Sequence, residues 1–297
     1  MKKFLLEILI FSFILILTIK GIKSTVPFYW GNKLMEQKIE YLESSDSKYD
    51  TYFIGSSKTF RHIDPILFEK ITGTPAFNLG CSGMFALETE YMLDNFLSKE
   101  SFKNTKDIYV QNTDYMIIGE QNRHTLRVNY YMDTKRLVRG VNYFIGQREY
   151  SQAYYHLVAF IENQLCIGQI SEIIDYKQKD KRNLMKMVAD QNGFYSLEQD
   201  LKIGKSKQLE NRHNRYLKSV ENNTYTKRKA KDIRLVELNK GELGIDTKGT
   251  KIWQIQNNPI ADPKYYFDRG HYNLEGAKKY TKQLAHLVKK LNESKKQ

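Results

Sequence analysis

One run of sixteen residues near the N-terminus limits the possible structures of the chain most, because thirteen of the sixteen are apolar. It extends from Phe4 to Ile19 and is interrupted by Glu7, Ser12 and Thr18. As a helix the run is ~24 Å long at ~1.5 Å per residue, and extension to Ile22 brings it close to the ~30 Å hydrocarbon core of a bilayer. The run therefore predicts one N-terminal transmembrane helix.

The pattern leaves two interpretations of this run open, a cleaved signal peptide and an uncleaved signal anchor. No small-x-small cleavage pattern follows Ile19, which favours an anchor over residues 1–23. A lone N-terminal span usually leaves its large domain outside the cytosol, although Lys20 and Lys23 weaken the positive-inside asymmetry. We therefore expect a single-pass protein of the cell membrane whose large domain faces the periplasmic or cell-surface side.

Length and composition limit the remaining possibilities. The chain has 297 residues, 41% hydrophobic and 27% charged, which is typical of one large folded domain with an insert. Two cysteines, Cys81 and Cys166, exclude a disulfide-built scaffold and a Cys-rich zinc module. In an oxidising compartment these two cysteines could pair or stay buried, and the sequence leaves both outcomes open.

Strand and helix patterns alternate after residue 48. Residues 24–48 are expected to form a juxtamembrane helix or linker, and residues 49–297 the folded domain. Short apolar runs predict strands at 49–55, 75–79, 107–111 and 251–255, and amphipathic spacing predicts helices at 64–73, 84–97 and 274–291. This alternation predicts an α/β fold, a flavodoxin-like three-layer sandwich with a mostly parallel sheet.

A long segment at about 118–230 interrupts this alternation and is expected to be a helical insert. Residues 176–234 contain 16 Lys or Arg and 7 Asp or Glu, so they hold +9 of the net charge of +13. A solvated polar surface explains this charge most simply. Docking to anionic lipid headgroups or to an acidic polymer is the alternative.

Two short segments carry candidate chemistry, one at each end of the predicted sheet domain. The first follows a strand and contains Ser56 and Ser57 in a Gly-Ser-Ser turn, at the edge where open α/β sheets bind ligands. The second places Asp268 three residues before His271, directly ahead of the last helix. A carboxylate in such a turn can accept from imidazole Nδ1–H, which leaves Nε2 as a base toward a serine hydroxyl.

Together these segments resemble the SGNH hydrolase superfamily, also called GDSL esterases. The resemblance implies that Ser57 is the nucleophile and that Asp268 and His271 complete a catalytic triad. Ser56 stands where the family usually has Asp. Such Gly-Ser-Ser variants resemble the membrane-anchored branch of exopolysaccharide O-acetyltransferase-like proteins.

The segment Asn-Leu-Gly-Cys-Ser-Gly at 78–83 is similar to the second block of the family. This implies that the backbone amides of Ser57 and Gly83 bind the oxyanion. Asn112 stands at the place of the oxyanion donor of the third block. That block lacks its glycine here, and its Asp comes one residue late.

The resemblance implies an extracytoplasmic serine esterase or O-acyltransferase that needs no cofactor or metal. Its substrate would be an acyl ester, such as an acetyl ester, of a cell-envelope glycan or exopolysaccharide. Several members of that branch work beside a membrane-bound O-acyltransferase, which is the protein partner that the resemblance suggests. The alternative is a catalytically inactive partner platform in a polysaccharide acylation or secretion machine.

Simpler interpretations of the same residues stay open. Ser57 could be a helix N-cap, and Asp268 and His271 could form an ordinary surface turn. His62 is expected at the surface, with a substrate contact as the alternative, and the remaining histidines show no metal-ligand spacing. Nucleotide-binding glycine motifs are absent from the sequence, and no nucleic-acid motif accompanies the basic charge, so we expect no nucleic-acid partner.

Overall fold

The computed structural model describes most of the chain, namely residues 2–24, 32–45, 48–84, 86–97, 99, 102, 104–111, 127–165, 167, 188–202, 206–225, 229–238, 249–256 and 260–294. Within these ranges the helices are α1 (Lys2–Ser24), α2 (Lys33–Ser44), α3 (Ser57–His62), α4 (Pro65–Thr72), α5 (Ala86–Leu97), α6 (Val128–Tyr131), α7 (Thr134–Gly146), α8 (Tyr150–Gln164), α9 (Leu197–Lys202), α10 (Lys207–Glu221) and α11 (Leu274–Ser294). The strands are β1 (Thr51–Ile54), β2 (Ala76–Asn78), β3 (Asp107–Gln111), β4 (Arg234–Glu237) and β5 (Lys251–Gln256). These elements belong to two compact units, residues 1–36 with 118–180 and residues 37–117 with 181–297.

The second unit contains a five-stranded sheet in the order β2-β1-β3-β5-β4. The first four strands pair in parallel, and β4 pairs with β5 in the antiparallel direction. The chain leaves β1 toward β2 on one side and later returns to β3 on the other side. The carboxyl end of β1 therefore lies at the switch point of the sheet, where open α/β folds form their ligand crevice. The predicted α/β class and mostly parallel sheet are confirmed.

The signals that the sequence carries for α4 are visible in its structure. The Asp64 side chain accepts from the Leu67 amide and caps the helix, and Pro65 occupies its first turn. Gly73 ends the helix in the left-handed conformation with φ of 74°. The helix predicted for 64–73 is thus confirmed, as are the four strands and the helices predicted at 84–97 and 274–291.

Neighbouring residues of β1 pack on opposite faces of the sheet. Phe53 contacts Phe68 of α4 with ring centroids 5.0 Å apart, and both belong to the core cluster that includes Leu284 of α11. Tyr52 contacts Phe96 of α5 with centroids 4.9 Å apart. Because strand side chains alternate between faces, the sheet is covered by α4 and α11 on one side and by α5 on the other.

Strand β4 was not predicted. It is an edge strand in which Leu235 packs partly against the core, as does Ile233 just before it, while Arg234 and Val236 are exposed. Four residues with this little burial leave a weak pattern in the sequence. The ladder to β5, rather than apolar burial, fixes its position.

The segment expected to be a juxtamembrane helix or linker is helical over Lys33–Ser44. From Gln37 onward it belongs to the unit that contains the sheet. Tyr41 stacks on Phe77 of β2 with ring centroids 5.9 Å apart, and Lys38 is fully buried. The second half of α2 therefore contributes to the packing of the sheet unit.

The first unit contains α1 and the helices α6 to α8. α1 is long and apolar enough to cross a membrane, with a mean hydropathy of 2.3 over Lys2–Ile22, and none of that stretch is buried. Helices α7 and α8 pack closely, because Gly140 of α7 lies against the ring of His156. The predicted apolar N-terminal helix is confirmed, and so are helices within the first part of the insert.

Candidate active site

Ser57 lies at the first position of α3, directly after β1. Gly55 is required in the connecting turn, because a Cβ atom there would lie 2.4 Å from Thr59 Oγ1 and 2.9 Å from Gln111 Cβ. Ser56 is the N-cap of α3: its Oγ accepts from the Lys58 amide and donates to Gln111 Oε1 at 2.7 Å. The interpretation of Ser57 as an N-cap is therefore wrong, since Ser56 fills that role.

Asp268 and His271 lie in a tight loop between a short 3₁₀ turn and α11. The Phe267 amide donates to the His271 carbonyl at 2.9 Å, and an antiparallel bridge between Tyr266 and Tyr272 closes the loop. Asp268 Oδ1 accepts from the backbone amides of Gly270 and His271 at 2.6 and 2.8 Å. These bonds hold the carboxylate beside the imidazole ring.

The structure brings Ser57, His271 and Asp268 into one hydrogen-bonded chain. Ser57 Oγ lies 2.8 Å from His271 Nε2, and His271 Nδ1 lies 3.0 Å from Asp268 Oδ1 and 3.1 Å from Oδ2. A carboxylate accepts only, so Nδ1 carries a proton and Nε2 is left to accept from the serine hydroxyl. Such an arrangement can take a proton from the serine as its oxygen attacks a carbonyl carbon.

The charge of Asp268 is held by its partners. Burial alone would raise the pKa of this carboxyl. Hydrogen bonding and charge attraction from His271 oppose burial, and with help from the Gly270 amide and Arg212 they lower the pKa of Asp268 to about 2. Asp268 is thus ionised at neutral pH, as an acceptor for Nδ1–H must be.

The segment at 78–83 is fixed against α3 by Asn78. Its buried Nδ2 donates to the carbonyls of Thr59 and Ile63 at 2.8 and 2.7 Å, and its Oδ1 accepts from the Gly80 amide at 2.8 Å. A side chain at Gly80 would meet the Phe60 backbone nitrogen at 2.5 Å, so only glycine allows this approach. The Asn-x-Gly pattern therefore joins the loop to the helix that carries Ser57.

The predicted oxyanion donors are only partly described. Ser57 occupies the first turn of α3, where amides have no acceptor within their own helix. Gly83 follows in a turn with φ of 71°, next to Ser82, which borders the same cleft as Ser57. Asn112 lies outside the described residues, so its predicted role stays a prediction.

Lys38 of α2 also holds the segment at 78–83 in place. Its Nζ donates to the carbonyls of Asn78 and Gly80, each at 2.8 Å, and its side chain is fully buried. Burial lowers the pKa of Lys38 to about 7, because the charged form is costly away from water. The sequence analysis assigned no such role to Lys38, since a lysine in an expected linker looks like a surface residue.

Helix α10 of the basic insert packs directly on the loop of Asp268 and His271. Arg212 Nε forms an ion pair with Asp268 Oδ2 at 2.9 Å. His213 Nδ1 lies 2.8 Å from the Phe267 carbonyl oxygen, and the Tyr216 hydroxyl donates to the Pro263 carbonyl at 3.0 Å. Part of the insert therefore builds the site. Sequence reasoning missed this, because Arg212 is far from Asp268 along the chain.

A cleft of about 540 Å³ opens over Ser57 and His271. Arg61 lies on its wall, where its guanidinium bonds to the Tyr195 carbonyl at 3.0 Å and to Asp200 at 2.5 Å. The volume falls within the ~300–1,000 Å³ of small-molecule sites. The cleft is therefore large enough to hold a small-molecule ligand.

Three further expectations concern His62, metals and the cysteines. His62 was predicted at the surface, and this is wrong. It is buried, and its Nε2 accepts from the Tyr272 amide at 3.0 Å, which joins α3 to the loop after His271. Among the described residues, no group of three or more His, Cys, Asp or Glu could hold a metal. Cys81 is buried, and Cys166 lies outside the described residues, so their pairing stays open.

Comparisons with protein-family models, with curated proteins and with solved structures gave no match for this chain. The site has to be interpreted from its own geometry.

Proposed function

We propose that the chain is a serine esterase or O-acyltransferase of the SGNH type, anchored by α1 and active outside the cytosol on acyl esters of a cell-envelope glycan. One observation carries the proposal. Ser57 Oγ, His271 and Asp268 form a continuous chain with steps of 2.8 and 3.0 Å at the mouth of a cleft. The motifs quoted for the SGNH resemblance supply the same three residues from distant parts of the sequence.

In the proposed mechanism His271 Nε2 takes the proton of Ser57 as Oγ attacks the carbonyl carbon of the ester. The carbonyl oxygen becomes an oxyanion held by backbone amides near Ser57 and Gly83, each worth ~10²–10³ in rate. His271 then gives its proton to the departing alcohol, and an acyl-Ser57 intermediate remains. Attack by a sugar hydroxyl completes transfer, whereas attack by water completes hydrolysis.

Turnover of p-nitrophenyl acetate by the full-length protein in detergent micelles tests the proposal. We expect Ser57→Ala and His271→Gln to lower kcat by at least ~10³-fold, because the nucleophile or its base is lost. Ser294→Ala, which removes an exposed hydroxyl from the last turn of α11, is the matched control and should keep wild-type kcat. Undiminished turnover in Ser57→Ala would contradict the proposal, and no turnover by the wild type would favour the inactive partner platform.

A further inference from the structure

The surface on the Asp268 side of His271 is a second cleft, of about 460 Å³. Three arginines, Arg212, Arg215 and Arg269, line it together with the loop of Asp268 and His271. The cleft begins where the cleft over Ser57 ends, because Arg212 and His271 border both. A ligand long enough to extend from the second cleft into the first would therefore reach the Ser57 hydroxyl.

The lining of this second cleft is strongly positive. The described lining residues include three guanidiniums and one carboxylate. Oδ1 of that carboxylate accepts hydrogen bonds from the Gly270 and His271 amides, and Oδ2 forms the ion pair with Arg212 Nε. Arginine stays charged at all relevant pH values. The arginines and the aspartate among the described lining residues carry a formal charge of +2, so this cleft favours an anion.

Arginine offers a geometry as well as a charge. A guanidinium whose Nε faces a carboxylate still has four N–H donors on its two terminal nitrogens, and such donors bind a carboxylate or phosphate in a bidentate manner. Arg212 is about half exposed while it forms the ion pair with Asp268, and it lines the cleft. The same residue can thus hold Asp268 and contact a bound anion.

The positive surface continues along α10. Arg212 and Arg215 also border a third, shallow cleft of about 390 Å³, whose other lining residues come from the first turns of that helix and its N-cap. Three adjoining clefts that share Arg212 form a groove, and a groove fits an extended polymer better than a small ion. The groove starts at Ser57, which is where the acyl group would be transferred.

We propose that the arginine groove, defined by Arg212, Arg215 and Arg269, binds an anionic glycan and presents one of its hydroxyls to the acyl group on Ser57. The recognised chemistry is a carboxylate or phosphate carried by the sugar chain. This proposal rests on the proposed function for the transfer step alone, because the binding of the glycan needs only the groove.

Calorimetry on the full-length Ser57→Ala protein in detergent tests binding without turnover. The probes are hexagalacturonate, its neutral methyl ester and an oligo(glycerol phosphate). We expect at least one of the two anionic oligomers to bind, more weakly at high salt, and the methyl ester not to bind. The oligomer that binds tells which of the two anions the groove accepts.

Point variants then locate the binding site. Arg215→Gln and Arg269→Gln should each weaken binding at least about tenfold, the loss expected for one charge-assisted hydrogen bond. Lys218→Gln removes the same charge from the same helix outside the three clefts and should bind as the parent does. Fluorophosphonate labelling of Ser57 in the wild type is measured in parallel.

Three calorimetry results would contradict the proposed glycan site: equal binding of the methyl ester, no binding of either anionic oligomer, or no effect of Arg215→Gln and Arg269→Gln. Phosphatidylglycerol vesicles are tested as a further probe, and arginine-dependent binding to these vesicles alone would contradict it as well. Labelling separates the two proposals. Arginine-dependent binding without labelling of Ser57 would contradict the proposed enzyme and support the glycan site. Labelling of Ser57 without binding would support the enzyme and contradict the glycan site.

Discussion

Replacement of Asp268 by asparagine should disable the site although the two side chains have nearly the same shape. Both carboxylate oxygens face N–H groups: Oδ1 accepts from the Gly270 and His271 amides, and Oδ2 forms an ion pair with Arg212 Nε. An amide has only one acceptor oxygen. Whichever way the introduced amide turns, its NH₂ group faces N–H donors, and the acceptor that remains for the Nδ1–H of His271 is neutral and shared.

The structure sets the size of this effect on stability. The pKa of Asp268 falls from 3.8 to about 2 on folding. At ~1.4 kcal/mol per pKa unit, and with a discount for the exposed Arg212, the charge contributes roughly 1–2 kcal/mol. A lowered carboxyl pKa stabilises the fold above about pH 4, and this contribution is lost as the pH falls toward 2. The difference in unfolding free energy between the wild type and Asp268→Asn should therefore shrink as the pH falls from about 4 toward 2.

The effect on turnover should be larger than the effect on stability. Loss of the residue that orients the base lowers kcat by ~10³–10⁴-fold in a serine triad. We would measure p-nitrophenyl acetate kinetics at pH 7 and guanidinium unfolding at pH 7 and pH 3. Turnover within tenfold of the wild type would refute the reasoning, and so would a stability difference that persists unchanged at low pH.

Three further variants test other contacts. Arg212→Gln should raise the pKa of Asp268, because one of the charges that lower it is lost, and should therefore reduce the stability gained from about pH 3 to about pH 7. Arg212→Lys should restore part of that gain, and equal gains in all three proteins would contradict this. Asn78→Ala should lower the free energy of unfolding by about 3 kcal/mol, roughly 1 kcal/mol for each of its three buried hydrogen bonds. A loss below about 1 kcal/mol, measured by guanidinium unfolding, would contradict this prediction. The pKa of Lys38 is about 7 in the folded state and 10.5 in the unfolded state, so the free energy of unfolding of the wild type should rise by up to ~1.4 kcal/mol per pH unit between those values. Lys38→Met should lack this rise, and the same dependence of unfolding free energy on pH in both proteins would contradict the prediction.

Much of the sheet unit could be predicted because its signals are local. Asp64 and Pro65 start a helix and Gly73 ends it, and each of these effects depends on a residue's own backbone and nearest neighbours. The Gly-Ser-Ser turn and the Asp-x-x-His loop are also local patterns. Since parallel strands direct their carboxyl ends to one edge, the topology predicted Ser57 at the ligand edge of the sheet, and the SGNH resemblance predicted that His271 would lie beside it.

The features that were missed depend on contacts between distant parts of the chain. Arg212 meets Asp268 from a separate helix, and Lys38 meets Asn78 across 40 residues. His62 was expected at the surface, but it is buried because its Nε2 accepts from an amide 210 residues later. A charged or polar side chain looks solvent-exposed in a sequence whenever its partner is remote.

Strand β4 was missed for a different reason. Its residues pair with β5 at the edge of the sheet, and no residue of the strand is fully buried. Periodicity reports burial, so a strand held mainly by its backbone ladder gives little pattern to detect.

Covalent labelling of the folded, full-length protein by a fluorophosphonate tests the central claim most directly. Peptide mass mapping should find one adduct, on Ser57, formed at least ~10²-fold more slowly in His271→Gln and absent from Ser57→Ala. No adduct on the folded wild type, or an adduct on another residue that persists in Ser57→Ala, would contradict the claim that His271 activates Ser57 as a nucleophile.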